Sequence, residues 1–489
     1  MKFLLVYPKI PMTYWGFQHA LKFISKRAAF PPLGLLTIAS MIPANHEKKL
    51  IDLNIEKLSD EDLRWADYVF ISAMLVQKAS VREIIDRCGK LGVKTVAGGP
   101  LFTSEFEAYQ SVDHLVLNEG EITLPEFLAD LEQGTARHLY TTDKWPDITQ
   151  TPVPQWDLLK LKRYSSLNIQ YSRGCPFNCE FCDITTLFGH TPRTKDAPQL
   201  IRELDAIYET GWTGELFFVD DNFIANKKKL MSEILPAVSE WMESHDHPFC
   251  FLTEASINMA DDEDLMKMMV KAGFNSVFIG IETPDETCLN ECQKKQNQNR
   301  DLMSCVQKIQ AAGMEVMAGF IVGFDSDNET IFSRMINFIQ DSGIVTAMVG
   351  LLNAPLGSQL YQRLQKEGRI EDGFTGNNTD YTMNFIPKMD RKVLERGYKK
   401  IVSTIYSPKY YYERVMNFLK DFNPKQLAEG MSPRHIIAFI KTVFKLGVFG
   451  KERKYYWKLV NWSLRYRPEL FPIAIRFSIY GYHFRKIFE

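Results

Sequence analysis

The sequence predicts an α/β protein with an N-terminal doubly wound, Rossmann-like sheet, a partial barrel of six βα units and a helical C-terminal domain. Three observations predict this class. Short apolar runs alternate with helical patterns up to about Gly368, a proline-rich break divides them into two series, and the alternation then stops. Apolar runs between amphipathic helices are typical of parallel sheets covered on both faces. We therefore expect domains at residues 1–142, 166–370 and 371–489, with a linker at 143–165.

The first series contains five strand-like runs with helical stretches between them. These runs begin at Phe3, Lys49, Tyr68, Lys94 and Asp113. In doubly wound sheets, ligands bind beyond the carboxyl ends of the strands. Gly98 and Gly99 follow the fourth run, and Glu119 and Gly120 follow the fifth, so these residues are candidates for contact with a cofactor. Glycine lets the backbone approach a ligand closely, although a tight turn alone explains the glycine pair equally well.

The second series contains six strand–helix units and follows a linker with prolines at positions 146, 152 and 154. Its strands begin at Ser166, Glu215, Phe249, Ser276, Glu315 and Thr346. Six units are too few to close an eight-stranded TIM barrel, so we expect a partial (βα)6 barrel. Functional groups of α/β barrels lie at the carboxyl ends of the strands, and side chains there are the candidates for chemistry.

Three cysteines follow the first strand of this barrel. Cys175, Cys179 and Cys182 lie in the string SRGCPFNCEFCD, with Phe181 directly before the last of them. Three thiolates can bind three irons of a 4Fe–4S cube and leave the fourth iron open, whereas structural zinc sites are closed by a fourth ligand. A zinc knuckle completed by His190, or a set of buried structural cysteines, is the competing interpretation.

This C-x3-C-x2-C spacing, the aromatic residue and the six-unit barrel resemble the radical S-adenosylmethionine (SAM) enzymes. In that family SAM chelates the fourth iron, and one electron cleaves it to a 5′-deoxyadenosyl radical. The resemblance implies further SAM contacts at the strand ends: Arg193 and Lys195 for the carboxylate, Asp220, Asp221 and Asn222 for the ammonium, Glu282 for the ribose, and Gly319 and Gly323 for the adenine. Glu254 ends the third strand and is expected to face the substrate. For each side chain taken alone, a helix cap or a surface salt bridge is the alternative.

A doubly wound domain directly before such a barrel resembles the cobalamin-binding class of radical SAM enzymes. The strings PRTK and FVDDNF and the helical tail resemble its hopanoid C-methylase subgroup. Cobalamin-dependent mutases and methionine synthases carry the string D-x-H-x-x-G, whose histidine ligates cobalt, and this string does not occur here. The resemblance therefore implies a 4Fe–4S cluster, SAM and base-off cobalamin with no protein histidine on cobalt.

The function implied is that of a C-methyltransferase. Its radical abstracts hydrogen from an unactivated carbon of a lipid or other small metabolite, and that carbon takes a methyl group from methylcobalamin. Cyclisation or carbon–carbon bond formation with the same cofactors, and a SAM- or cobalamin-binding regulator without turnover, are the alternatives. Methylthiotransferases carry a cluster in the N-terminal domain, and here only Cys88 precedes Cys175. An electron donor such as flavodoxin or ferredoxin is also implied.

Two looser groups of metal-binding residue types lie elsewhere in the barrel sequence. The members of these groups are Cys288, Cys292 and Cys305, and His245, His247 and Cys250. They are either ordinary loop and helix residues or the ligands of a second cluster.

The composition is ordinary for a globular protein, with 45% hydrophobic residues, 24% charged residues and a net charge of −2, and no nucleic acid is expected as a partner. A secretory signal and an apolar run of about 20 residues are both missing, so a cytoplasmic setting is expected. Residues 431–489 carry twelve Lys and Arg against three Glu, interleaved with aromatic residues. Three interpretations of this stretch are open: it lies on an anionic membrane surface, it binds RNA, or it packs its aromatic rings inward as a helical cap.

Overall fold

The computed structural model describes residues 1–377, 379–424 and 433–489, with the side chains of residues 433 and 434 excepted. Within the basic C-terminal stretch, Met431, Ser432 and the side chain of Arg434 lie outside the described residues.

The N-terminal domain is built on a six-stranded parallel sheet. Its strands are β1 (Lys2–Tyr7), β2 (Glu47–Asp52), β3 (Tyr68–Ser72), β4 (Lys94–Gly98), β5 (His114–Val116) and β6 (Leu139–Tyr140). They are arranged in the order β2-β1-β3-β4-β5-β6. The order reverses between β1 and β3, which is the switch point of a doubly wound sheet. The five strands expected from the sequence are confirmed, and β6 is an addition.

The barrel domain contains eight further strands. They are β7 (Leu167–Ile169), β8 (Ser172–Arg173), β9 (Arg193–Thr194), β10 (Gly214–Phe218), β11 (Phe249–Ala255), β12 (Phe274–Glu282), β13 (Glu315–Val322) and β14 (Ala347–Leu351). β8 and β9 form an antiparallel ribbon, and the other six form a parallel sheet in chain order. β7 and β14 lie at its two edges, which confirms the partial barrel of six units.

Helices connect these strands. In the first two domains they are α1 (Gln18–Leu21), α2 (Leu33–Met41), α3 (Asp60–Trp65), α4 (Lys78–Leu91), α5 (Pro100–Glu105), α6 (Gly120–Glu132), α7 (Ile184–Phe188), α8 (Ala197–Glu209), α9 (Lys227–Lys229), α10 (Leu235–Ser244), α11 (Glu263–Ala272), α12 (Glu286–Glu291), α13 (Leu302–Ala312), α14 (Thr330–Asp341) and α15 (Gln359–Lys366). A π-helical turn at Leu230–Ile234 joins α9 to α10.

The C-terminal region is helical, as expected. Its helices are α16 (Arg391–Ile405), α17 (Pro408–Asp421), α18 (Pro433–Thr442), α19 (Arg453–Tyr466) and α20 (Phe471–Phe488), and a π-helical segment at Val443–Val448 continues α18. In the described part of the chain, no helix is both long enough and apolar enough to cross a membrane. The domain limits at residues 142, 165 and 370 stay predictions.

Alternate residues of β1 serve the two faces of the first sheet. Leu4 and Val6 belong to the core on one face, whereas Phe3 and Leu5 belong to the core on the other. This division follows from the period of two in a β-strand. Both faces are therefore covered, and the edge that carries the carboxyl ends of the strands remains as the place for a ligand.

The barrel, the C-terminal helices and a short N-terminal segment share one hydrophobic core. Tyr14 from that segment stacks on Phe484 with ring centroids 4.2 Å apart, and its hydroxyl lies 2.7 Å from the hydroxyl of Tyr406. The Nε2 of His483 lies 2.9 Å from the carbonyl oxygen of Tyr14. Tyr14 is thus packed between α20 and the residue that follows α16. Its neighbours Thr13 and Trp15 line the cavity of the candidate active site.

Candidate active site

A cavity of about 790 Å³ lies between the two large sheets. From the first domain it is lined at the ends of β1, β3, β4 and β5. From the barrel it is lined by residues within β7, β10 and β14 and just beyond β7 and β10. The lining includes Tyr7, Ser72, Gly98, Gly99, Asn118, Glu119, Gly120, Asn168, Gln170, Arg173, Phe217, Val219, Asp221 and Met348. Its volume is in the range of small-molecule sites. The ligand-binding edges expected for the two domains therefore face one shared cavity.

The three glycines predicted to contact a cofactor line this cavity, but the protein's own packing also requires them. A Cβ on Gly98 would lie 2.5 Å from the carbonyl oxygen of Val116, and Gly99 has a φ of +88°. A Cβ on Gly120 would lie 2.5 Å from a side-chain carbon of α2. The absence of side chains here is consistent with close approach by a ligand, and contact with a cofactor stays a prediction.

Three of the four histidines before residue 143 lie at the opposite edge of the sheet, and the fourth, His19, lies in α1. His46 precedes β2, His114 begins β5 and His138 precedes β6, so all three stand at the amino ends of the strands. Among the described residues that line the cavity there is no histidine. The donor set around the cavity therefore fits a cobalamin that has no protein imidazole on its cobalt.

The three cysteines lie on the loop between β8 and α7, and each is partly exposed. Burial raises the pKa of the Cys175 and Cys182 thiols, so a bound metal would have to supply the charge that favours their thiolates. In the described ranges no group of three His, Cys, Asp or Glu side chains is arranged to hold a metal ion. In a cube each cysteine thiolate binds a different iron, so the three need not converge on one ion.

Two neighbouring carboxylates hold the backbone that leads into this loop. Asp220 accepts hydrogen bonds from the N–H groups of Tyr171 (3.2 Å) and Ser172 and from the Ser172 hydroxyl (2.6 Å). Asp221 accepts a hydrogen bond from the N–H of Gly174 at 3.0 Å. Burial raises the pKa of Asp220 to about 7 and that of Asp221 to about 6. The aspartates that we predicted to bind the SAM ammonium thus also position the cysteine loop.

The next two candidates connect the second and third strand ends of the barrel. The side-chain oxygen of Asn222 lies 3.2 Å from the N–H of Ser256, which donates to it. Burial, reinforced by the charges of Asp221 and Asp220, raises the pKa of Glu254 to about 8. Glu254 therefore carries a proton at neutral pH, and its orientation toward the substrate stays a prediction.

A polar wall beside the cysteine loop was missed by the sequence reasoning. The Nζ of Lys294 lies 2.7 Å from Oε1 of Glu282 and 5.8 Å from the centroid of the Phe181 ring. Although burial lowers the pKa of Lys294, the charges of Glu282 and Cys179 raise it overall. The Nε2 of Gln296 lies 3.5 Å from Sγ of Cys179, and its buried Oε1 has no hydrogen-bond partner in the described structure. An unpartnered acceptor and an ammonium beside the cysteines fit a polar ligand such as the methionine end of SAM.

Glu282 itself adopts a strained backbone conformation. Its φ is +65°, in a region that non-glycine residues seldom occupy. Such conformations cluster at ligand-binding and active sites. The predicted contact of Glu282 with the ribose stays open, because one of its carboxylate oxygens is already bonded to Lys294.

Both basic residues that we predicted for the SAM carboxylate have partners within the protein. The guanidinium of Arg193 lies 2.6 Å from Oε1 of Glu119, and Arg173 lies 2.5 Å from Oε2 of the same carboxylate. Lys195 is 3% exposed and forms an ion pair with Glu203. Glu119, the cofactor candidate of the first domain, is thus bonded to the barrel, and the SAM contacts of Arg193 and Lys195 stay predictions.

The two glycines predicted to contact the adenine have structural roles as well. A Cβ on Gly319 would lie 2.9 Å from the ring of Phe278. Gly323 has a φ of +110°, and its N–H donates to Oδ2 of Asp327 at 2.7 Å. Contact with an adenine ring stays a prediction for both.

The cysteine loop is also anchored from the C-terminal side. Glu180 forms an ion pair with Arg363 at 2.6 Å, and its N–H donates to the carbonyl oxygen of Cys292 at 2.9 Å. The thiol of Cys288 lies 3.3 Å from Oδ1 of Asp327. Cys292 of the looser group thus bonds to the loop through its backbone, and Cys288 makes an ordinary hydrogen bond to Asp327.

Three segments of the chain match known families. Residues 25–128 match the B12 binding domain, residues 169–339 match the radical SAM superfamily, and residues 358–489 match a domain of unknown function, DUF4070.

Two curated relatives match over nearly the whole chain, and a third matches over part of it. An uncharacterised methyltransferase of Synechocystis sp. is 39% identical over 495 residues, which cover 100% of this chain and 92% of the relative. The hopanoid C-2 methylase of Rhodopseudomonas palustris is 31% identical over 470 residues, which cover 94% and 88%. A hopanoid C-3 methylase of Methylococcus capsulatus is 27% identical over 332 residues, which cover 61% and 62%.

Solved structures share the fold at low sequence identity. The cobalamin-dependent SAM radical enzyme OxsB, with aqua-cobalamin and SAM bound, superposes with a TM-score of 0.64 at 14% identity, covering 96% of this chain and 75% of that one. The radical SAM methyltransferase TsrM from Kitasatospora setae, with tryptophan and a SAM analogue, gives 0.61 at 14% identity, covering 94% and 99%.

Proposed function

This chain belongs to the cobalamin-binding radical SAM family, and from that premise we propose that it methylates an unactivated carbon of a polycyclic isoprenoid lipid. The family and the fold class predicted from the sequence are thereby confirmed. The cofactors of the family are a 4Fe–4S cluster, SAM and cobalamin. The observation that carries the proposal is the cavity between the first sheet and the barrel, since its lining includes Arg173 and Asp221, which adjoin the cysteine loop.

The cofactors and the protein have different roles in the proposed reaction. When bound, the cofactors supply a radical and a methyl group, chemistry that side chains do not provide. Cys175, Cys179 and Cys182 would hold the cluster, and the hydrogen bonds of Asp220 and Asp221 fix the loop that carries these cysteines. The walls of the cavity orient the substrate and exclude water from the reacting carbon.

The lining of the cavity favours an apolar substrate. Trp15, Phe30, Leu33, Phe217 and Met348 all line it. A rigid hydrocarbon skeleton gains from burial against such side chains, because apolar surface leaves water. Among the relatives, those named as hopanoid methylases act on this class of molecule. We further propose that the protein works at the cytoplasmic face of a membrane, where such a lipid resides, and receives electrons from a small carrier such as flavodoxin or ferredoxin.

The test is anaerobic turnover with SAM that carries a deuterated methyl group, in the presence of dispersed polycyclic isoprenoid lipids. We expect 5′-deoxyadenosine together with a lipid that carries the deuterated methyl group, and neither with the Cys179→Ala variant. Formation of 5′-deoxyadenosine with an altered but unmethylated product would favour cyclisation. Tight binding of SAM with no cleavage under reducing conditions would contradict an enzymatic role.

A further inference from the structure

An apolar stripe faces away from the protein on α18 and its π-helical continuation. It consists of Ile436, Ile437, Ile440, Phe444, Val448 and Phe449, which we call the 436–449 stripe. Phe444 is 58% exposed and Phe449 is 82% exposed. The four-residue spacing of most members places them on one side of the helix, while Ala438 and Leu446 on the other side are buried in the core. The core therefore does not account for the stripe.

One ring from the next helix extends this surface. Trp457 is 37% exposed, and its indole N–H donates to the carbonyl oxygen of Gly447 at 3.0 Å, so it lies beside the stripe. Phe471 is only 7% exposed, and Trp462 packs partly against the core. The outward apolar surface is therefore centred on α18 and the turn that follows it.

The exposed charged side chains of the segment that carries the stripe have one sign. Its neighbourhood carries the exposed side chains of Lys445, Lys451, Arg453, Lys454 and Lys458. Between residues 435 and 466, the one acidic residue is Glu452, which is buried and paired with Arg485 at 2.7 Å. An apolar strip with a basic rim and no exposed carboxylate in this described segment complements an anionic lipid surface. Four of the six stripe residues are aliphatic and do not stack on bases, so RNA fits the stripe less well than a lipid surface does.

The stripe is joined to the rim of the cavity. The Nζ of Lys441, on the same helix, lies 3.0 Å from the carbonyl oxygen of Lys22 and 2.9 Å from Oγ of Ser25. Lys22 and Ser25 lie in the short segment between Gln18 and Arg27. Gln18 and Arg27 line the cavity. A membrane that binds the stripe would thus lie next to a segment of the cavity wall.

We propose that the 436–449 stripe inserts between the headgroups of an anionic membrane while the surrounding lysines and arginines contact lipid phosphates. The purpose of this docking rests on the proposed function, because docking would bring a lipid substrate from the bilayer to the cavity. The physical basis of the docking does not rest on that function, since it depends on the exposed surface of the C-terminal helices alone.

The test is sedimentation of the full chain with vesicles of neutral phosphatidylcholine, and with vesicles that also contain anionic phosphatidylglycerol. We expect binding to the anionic vesicles that weakens with salt, because exposed charges are screened. The double variant Phe444→Ser/Phe449→Ser should lose roughly tenfold or more of this binding. Lys451→Gln/Lys454→Gln/Lys458→Gln should lose mainly the preference for anionic vesicles.

A matched control is Ile386→Ser, which changes a side chain that is 50% exposed and lies outside the stripe. It should bind vesicles as the unchanged protein does. Equal binding by the control and the double phenylalanine variant, or no binding by the unchanged protein, would overturn the proposal. A dimer that dissociates in the phenylalanine variant would overturn it too, because a second copy would then cover the stripe.

The two proposals fail in different ways. Methylation of detergent-dispersed lipid by a protein that ignores vesicles would refute docking and leave the proposed function intact. Vesicle binding that depends on the stripe, without methylation of any lipid, would support docking and refute the lipid substrate.

Discussion

Replacing Asp220 by Asn tests whether this carboxylate positions the cysteine loop. Asp220 accepts three hydrogen bonds, from the N–H groups of Tyr171 and Ser172 and from the Ser172 hydroxyl. A carboxamide has the same shape but only one acceptor oxygen, and its NH2 group would face N–H donors. The variant therefore loses at least one bond to a charged group and leaves a buried donor without a partner.

The expected cost follows from those bonds. A hydrogen bond to a charged group contributes about 1.5–3 kcal/mol, and a buried group left without a partner costs about 1–3 kcal/mol. We expect the ordered conformation of the cysteine loop to become less stable by about 2–4 kcal/mol. This lowers the ratio of ordered to disordered loop by roughly 30- to 1,000-fold. Because burial raises the pKa of Asp220 to about 7, the comparison belongs at pH 8, where the native carboxyl is ionised.

The measurement is iron bound per chain after anaerobic reconstitution, together with the rate of 5′-deoxyadenosine formation. Both should fall strongly in Asp220→Asn. Asp205→Asn is the matched control, because Asp205 accepts a hydrogen bond from the indole of Trp241 at 2.7 Å on the outer side of the barrel. If Asp220→Asn binds iron and cleaves SAM as well as the control does, Asp220 does not hold the loop and the reasoning is refuted.

Four further predictions concern the site. Cys179→Ala should abolish cluster iron and SAM cleavage as completely as the triple cysteine change, because the ligands act as one unit. Changing His46, His114 or His138 should leave the base-off absorption spectrum of bound cobalamin unaltered. Lys294→Met should weaken SAM binding by about tenfold in calorimetry, since it removes a buried ammonium beside the cysteines. The pKa of Glu254 is raised from 4.5 to about 8, so the folded protein keeps a proton there that the unfolded chain has lost, and stability falls as the pH rises through that window. Glu254→Gln should reduce this fall by up to about 5 kcal/mol in urea unfolding of the cluster-free protein, and exposed Glu263→Gln should not.

The strands were predictable because burial on both faces leaves a strong local pattern. The run from Phe3 is apolar at every position and became β1, whereas β6 is only two residues long and carries too short a pattern to be recognised. The placement of candidates at strand ends also followed from the fold class. Asp220, Asp221 and Glu254 all lie where a parallel barrel puts its functional groups.

What each side chain bonds to could not be predicted in the same way. Glu119 pairs with Arg193 across 74 positions of sequence, and such a contact depends on how two domains pack. Lys294 lies in a polar loop without periodicity, so no local pattern distinguished it. The spacing of Ile436, Ile440 and Phe444 reads equally well as a core face, and only the packing of α18 shows that these side chains are exposed.

The pairing of Glu119 connects the two halves of the site. Arg173 lies two residues before Cys175 and bonds to Glu119 and also to Glu121 of the first domain, at 2.5 and 2.8 Å. All three charged side chains are largely buried, so removing one partner would leave an uncompensated charge at a cost of about 3–5 kcal/mol. A surface ion pair would contribute far less. The loop that carries the cysteines and the sheet edge that faces the cavity are therefore held in one fixed relation. A reaction that needs two cofactors at a set separation requires such a relation, and this buried network supplies it.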